Sequence, residues 1–264
     1  MEAQHHSITL RRYTWAIVLS GGLLLVCSLI FSQLLAGVSM ETFKVSAACA
    51  AKKQSAKGFT RLILAVEFAT SDCQIAQALH GKEHTPDQMK RLRWHTYFDY
   101  LFMVVYSAFL GLLAWVLMLR TGKAFFGVCG VILALAMFVG DAVENLQILS
   151  IFSAYLTDPV NVRASYLLLH LFTWLKWGAL ALMFGVLSLG FFPREGVFAK
   201  VVAWLCLGIF VFGGVVFFMD HTAVSLSHRR LANVFLEQNI KLIAVGYTVL
   251  WIYSIKRLWR DGNV

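Results

Sequence analysis

Two acids and an amide lie close together inside a long apolar run of this chain. Asp141, Glu144 and Asn145 belong to the sequence GDAVEN, within the apolar segment 125–149, which is long enough to cross a bilayer. At spacing i, i+3 and i+4, the three side chains project from one face of a helix. A charge at membrane depth is costly unless it is paired, protonated or hydrated. The sequence therefore predicts polar partners opposite this face.

The composition is typical of a membrane protein. Of the 264 residues, 59% are hydrophobic and 14% are charged, whereas a soluble domain has about 25% charged residues. The net charge is +9, and basic residues that flank spans commonly contact lipid headgroups. We therefore expect membrane lipids, and not nucleic acid, as partners. The five cysteines show no CxxC spacing, which argues against a disulfide framework or a zinc ribbon.

Six apolar segments predict an all-α, polytopic transmembrane helical bundle that forms one integral membrane domain over residues 1–264. The predicted spans are 13–37, 94–119, 125–155, 164–191, 198–219 and 240–255. Short connections between the second and fifth spans predict antiparallel neighbours. The third span is too long for a perpendicular crossing, so we expect it to tilt or to emerge at one face.

The long first loop has a different pattern. After a basic stretch, residues 60–79 place apolar side chains around Glu67, Asp72, Gln74 and Gln77. This pattern favours an interfacial amphipathic helix over a seventh span. The basic residues at the short turns favour cytoplasmic N- and C-termini, and we expect the protein in a bacterial inner membrane.

The helical rise brings polar residues from different spans to a similar depth. Asp99 lies about 7 Å, and His170 about 9 Å, from the same membrane face at 1.5 Å per residue. Asp141 reaches this level from the opposite face, and His95 lies one turn from Asp99. Lys176 is deeper, at about 18 Å, and its long side chain can extend toward the acids. The sequence predicts a polar site shared by three helices.

The composition of this cluster suggests several chemical roles. Carboxylates and imidazoles can transfer protons or bind a divalent metal ion, so the cofactor stays open between none and such an ion. The catalytic candidates are Asp99, Asp141, Glu144, His170 and Lys176. The substrate-binding candidates are Asn145, Trp174, Tyr97 and Glu67. The candidate metal ligands are Asp99, Asp141, Glu144, His95 and His170.

The favoured function is binding of, or action on, a membrane lipid or amphiphile, with a metal ion that activates water as one option. A small-solute or proton-coupled transporter is the alternative, because acids inside membranes mark proton relays. A third interpretation is a structural cluster of ion pairs that holds helices in register. Whether the chain is an enzyme stays open.

Two short segments also resemble intramembrane aspartyl proteases. FDYLF at 98–102 and FVGDAVEN at 138–145 are similar to the YD and GxGD patterns of that family. The resemblance implies that Asp99 and Asp141 share a water molecule. Phe138 stands where the family has glycine, and no PAL sequence follows.

Overall fold

The computed structural model describes residues 2–35, 59–71, 74–75, 78–79, 86–157, 166–194, 196–223 and 225–262. Every regular element in these ranges is an α-helix. The helices are α1 (Glu2–Leu34), α2 (Leu62–Glu67), α3 (Pro86–Thr121), α4 (Ala124–Thr157), α5 (Tyr166–Phe191), α6 (Val197–Thr222) and α7 (Leu226–Gly262). The predicted all-α class is confirmed.

Five of these helices are long and apolar enough to cross a membrane. Their spanning segments are Leu10–Leu34, Met89–Thr121, Ala124–Ala154, Tyr166–Phe191 and Val197–Thr222. Large apolar side chains such as Leu19, Leu135, Leu189 and Phe218 are more than half exposed on the outside of the bundle, which is the surface that lipid requires. The chain is a multi-pass integral membrane protein.

The predicted sixth span, 240–255, lies within α7 but is not among the five segments. The charged and amide side chains of Glu237, Asn239 and Lys241 stand at its start and lower the hydropathy of any longer window there. The count of six spans is therefore not confirmed.

The amphipathic helix expected at 60–79 is not confirmed either. The described part of this segment contains the six-residue helix α2, all of whose residues are buried, and residues 74–75 and 78–79, which are also helical and buried. Phe59, Phe68 and Ala69, which flank it, are also buried. Asp72 and Gln77 lie outside the described residues.

The six long helices form a closed ring. From α3 to α7 each helix packs against the next in the chain, α1 packs against α3, and α1 also packs against α7. The helix α2 contacts α4 and α5. It belongs to a separate hydrophobic cluster with Ile148, Phe152, Leu169 and Val216. This arrangement places α2 among the long helices, next to their polar residues.

Small residues let neighbouring helices approach closely where the polar residues lie. A Cβ atom on Gly140 would lie 2.8 Å from the backbone nitrogen of Lys176, so α4 and α5 are in direct backbone contact there. One on Gly130 would lie 2.4 Å from the Cβ of Ala114, where α3 crosses α4. The close approach at Gly140 is next to Asp141, so it sets the distance between Asp141 and Lys176.

Candidate functional site

Lys176 is the centre of the buried polar cluster. Its Nζ lies 3.2 Å from Oδ1 of Asp141 and 3.7 Å from Oε2 of Glu67, and it donates a short hydrogen bond to Glu144. The carboxylates come from α4 and α2, while the lysine comes from α5. The Lys176 ammonium also lies 5.1 Å from the ring centre of Trp177, which adds a cation–π contact. One cation on α5 therefore joins three carboxylates from α4 and α2.

The helix α4 presents both of its acids to this lysine because they are one turn apart. Asp141 and Glu144 are 1% and 0% exposed, so neither is hydrated by bulk water. Asp141 has a second partner, since the hydroxyl of Tyr106 donates to its Oδ2 at 2.8 Å. This hydrogen bond ties α3 to α4 beside the ion pair.

Asp99 adds a fourth carboxyl group from α3. It is 9% exposed, and it lies beside the amide of Asn145. The ion pairs in the described part of the chain do not include Asp99. His95, one turn earlier, is buried and stacks on Phe31 at 4.4 Å between ring centres. Its Nδ1 has no hydrogen-bond partner among the described residues.

The cluster holds more acids than cations. Glu67, Asp99, Asp141 and Glu144 lie around Lys176, which is the one buried lysine among the described residues, so the groups cannot all be ionised at low cost in a dry interior. Burial raises the pKa of Glu67 above its ordinary value, and the Lys176 ammonium partly opposes this rise. The site can thus hold either protons or a further cation.

A cavity of about 470 Å³ opens directly beside these groups. The charged side chains in its lining are Glu67, Asp99, Asp141, Lys176 and Arg61, and His95 adds an imidazole. The remaining walls are mostly aliphatic and aromatic and come from α1, α2, α3, α5 and α7. These wall residues include Phe31, Phe102, Tyr106, Trp177, Leu180, Ile243 and Tyr247.

The cavity has exposed residues on one side. Ser28 and Ser32 on α1, Arg61 before α2 and Ala244 on α7 all line it and are exposed. The seam between α1 and α7 is therefore the border at which the cavity meets the outside of the bundle.

The structure brings together most of the predicted site residues. Asp141, Glu144, Glu67 and Lys176 form one cluster, and Asp99, Asn145 and His95 adjoin it. Tyr97 is 46% exposed and packs against the Trp94 ring, on the outside of α3. It does not line the cavity.

His170 and Trp174 belong to a second cluster around Asp220. The Trp174 Nε1 donates to Asp220 at 3.1 Å, and His170 Nε2 lies 3.9 Å from the same carboxylate oxygen. The prediction that His170 joins the main cluster is wrong, because a shared depth does not fix the angle around the helix axis at which a side chain projects. His170 is six residues from Lys176, which is about 120° around the helix.

The predicted metal site gains no support from this arrangement. Within the described ranges, no three His, Cys, Asp or Glu side chains are grouped so that they could hold a metal ion. The five predicted ligands are divided between two places, because His170 lies with Asp220 and Asp141 is engaged by Lys176 and Tyr106.

Sequence reasoning missed two tyrosines in the wall of the site. Tyr106 lies seven residues after Asp99, so both side chains are on the same face of α3, and this spacing could have revealed it. Tyr247 on α7 is buried, and its ring centre is 6.5 Å from that of Tyr106. No local signal marks Tyr247, because its role comes from the closure of the ring.

Comparison with known proteins finds no relative for this arrangement. Neither a protein-family model, nor a curated protein, nor a solved structure matches the chain. The intramembrane protease resemblance, which implies that Asp99 and Asp141 share a water molecule, stays a prediction.

Proposed function

We propose that this membrane protein binds, or acts on, a lipid or amphiphile inside the cavity between α1, α3, α5 and α7. The observation that carries the proposal is the chemistry of the walls. Charged groups cover one part, and aromatic and aliphatic side chains cover the rest. A volume of about 470 Å³ is typical of pockets that enclose small ligands. An amphiphile matches both kinds of surface.

A purely structural ion-pair cluster explains only part of this region. It accounts for Lys176 with Asp141 and Glu144, which join α4 to α5. It gives no reason for Asp99, which has a place in the cavity wall and no ion pair among the described residues. Side chains around a purely structural ion pair normally pack without a large void, whereas here a cavity adjoins the ion pairs.

The proposal includes a topology of six crossings with α7 as the sixth. Support comes from the ring, because α7 packs against both α6 and α1, and from its length of 37 residues. Arg120, Arg194 and Arg257 line one small pocket at one end of the bundle. Basic residues at that end favour cytoplasmic termini, and we place the protein in a bacterial inner membrane.

Proton-coupled transport is the second candidate. The observation in its favour is that three carboxylates share the buried Lys176, since such networks mark proton pathways in membranes. Proton flux measured in proteoliposomes, with and without small-solute gradients, tests it. Flux that Lys176→Met abolishes would favour the transporter.

The binding proposal is tested with the protein in phosphatidylcholine nanodiscs. The probes are radiolabelled amphiphiles that share a dodecyl chain: dodecanol, dodecyl sulfate and dodecyltrimethylammonium. Empty nanodiscs give the background from partition into lipid. We expect saturable binding of at least one probe above this background.

A matched pair of substitutions on α1 locates the binding site. Ser32→Trp places a large ring at the cavity, whereas Leu29→Trp places one at a position that is 68% exposed and does not line it. We expect Ser32→Trp to abolish saturable binding and Leu29→Trp to preserve it. No saturable binding of any probe, or equal binding by both variants, would overturn the proposal.

A further inference from the structure

The proposed function leaves the ligand's headgroup open, and the charges around the cavity narrow the choice. We infer that the amphiphile carries an ammonium group, which sits beside Glu67 and Asp99 while its chain extends along the aromatic wall. The inference rests on the proposed function and specifies the ligand class.

The balance of charge around the cavity favours a cationic headgroup. Lys176 is already engaged by Asp141, Glu144 and Glu67. Its positive charge is therefore neutralised by carboxylates that belong to the protein. Arg61 also lines the cavity, but it is exposed and lies at the outer border. An ammonium group beside Glu67 and Asp99 would therefore meet more carboxyl groups than cations, whereas a sulfate or phosphate in the same place would lie against those carboxyl groups and be disfavoured.

Two buried polar atoms in the cavity lining also form no hydrogen bond with the described residues. One is Oε2 of Glu67, a residue that is 6% exposed, and its nearest cation is the Lys176 ammonium at 3.7 Å. The other is Nδ1 of His95, a residue that is 7% exposed. Buried polar atoms normally have partners. Both residues line the cavity, so a ligand that donates hydrogen bonds or carries positive charge fits there.

A continuous aromatic wall of the cavity also favours a cationic headgroup. The Phe31 ring lies 4.8 Å from that of Phe102, which lies 5.5 Å from Tyr106, which in turn lies 6.5 Å from Tyr247. All four residues line the cavity. Aromatic faces attract ammonium groups, including those without N–H donors. The wall thus favours a cation next to the acids and also offers apolar surface to the chain.

The dodecyl probes test this inference directly, because they differ only in headgroup. We expect dodecyltrimethylammonium to bind about tenfold more tightly than dodecanol, because charge attraction and cation–π contact are added. We expect dodecyl sulfate to bind most weakly. The same nanodiscs and the same background correction apply to all three.

Asp99→Asn identifies the group responsible. This substitution removes the ionisable carboxyl group with almost no change in shape, so we expect about a tenfold loss of dodecyltrimethylammonium affinity and no change for dodecanol. Asp87→Asn on the same helix is the matched control, because Asp87 is exposed and pairs with Arg91 at 3.0 Å. Dodecanol binding also reports that each variant is folded.

The outcomes separate the two proposals. If dodecanol or dodecyl sulfate binds as tightly as the ammonium probe, and Ser32→Trp still blocks binding, the ammonium inference is wrong and amphiphile binding stands. Equal affinity of Asp99→Asn and Asp87→Asn for the ammonium probe would also overturn the inference. If no probe binds, both fail.

Discussion

The bundle contains two buried ionic clusters with opposite balance. Around Lys176, one cation faces several carboxylates. Around Asp220, one carboxylate faces several donors: Arg229 forms a short ion pair with it, Trp174 donates to it, and His170 is 3.9 Å away. Asp220 is 2% exposed, so this carboxylate is buried like those around Lys176.

The difference shows which cluster is suited to a ligand. The Asp220 carboxylate has its charge balanced and its oxygens occupied, so it has little left to bind with and joins α5, α6 and α7 as a clamp. The Lys176 cluster keeps a surplus of acids next to a cavity, and one Glu67 oxygen there accepts no hydrogen bond from the described residues. Burial alone does not distinguish the two, whereas the balance of donors and acceptors does.

The largest expected effect comes from removal of the shared cation. Lys176→Met leaves the buried carboxylates without a counter-charge, and we expect it to lower the free energy of unfolding by about 3–5 kcal/mol. Chemical unfolding in detergent micelles measures this. Lys241→Met is the control, because Lys241 is half exposed and 4.0 Å from Glu237, so we expect about 0–1 kcal/mol there. Similar stability of the two variants would contradict the central role of Lys176.

A substitution in the Asp220 cluster should lower the stability of the protein without changing its affinity for the ligand. Asp220→Asn removes the charge that Arg229 and Trp174 contact, and we expect a loss of about 1.5–3 kcal/mol in the free energy of unfolding. The affinity for dodecyltrimethylammonium should stay unchanged. A variant with normal stability and reduced affinity would reverse the roles assigned to the two clusters.

A smaller loss of stability is expected from a substitution at the point where α4 and α5 touch. Gly140→Ala puts a Cβ atom within 2.8 Å of the Lys176 backbone nitrogen, which a backbone cannot easily avoid, and we expect a cost of about 1–3 kcal/mol. Gly208→Ala on α6 is the control, because no atom lies within 4 Å of its Cβ position. Thermal unfolding of the two variants gives the comparison. A Gly140→Ala protein as stable as the control would show that the helices separate without cost.

The sequence was sufficient for the outline of the main cluster. Apolar segment lengths locate five crossings, and the helical rise brings Asp99, Asp141 and Lys176 to related depths. Depth does not determine the angle around the helix axis, however. For this reason His170 was assigned to the Lys176 cluster although it faces Asp220.

The role of α2 could not be read from local patterns. Its acidic residue, Glu67, suggested a helix with one solvated face, yet all of Leu62–Glu67 is buried. In place of water, the Glu67 carboxylate has the ammonium group of Lys176 beside it, and Lys176 lies more than a hundred residues later in the chain. Such long-range pairing leaves no periodic signal, and the same is true of Tyr247 in the cavity wall.

The smallest expected effect is a dependence of binding on pH. Dodecyltrimethylammonium has a permanent charge, so only protein groups titrate. Burial raises the pKa of Glu67 above 4.5, which means that its carboxyl group becomes neutral at a higher pH than an ordinary glutamate. Lys176 faces it from α5, Asp141 and Glu144 face it from α4, and Asp99 lines the same cavity from α3.

The direction in which affinity changes with pH depends on which protonation state of Glu67 attracts the ammonium group. Ionised Glu67 favours binding, so affinity should be highest above its raised pKa and should fall by about two- to tenfold as the pH drops through it. Glu67→Gln should remove this part of the dependence, and dodecanol affinity should not change with pH. Affinity for the ammonium probe that is constant or rises on acidification would mean that the Glu67 carboxyl is not in contact with the headgroup. In that case the attraction for the headgroup would come from Asp99 and the aromatic wall alone.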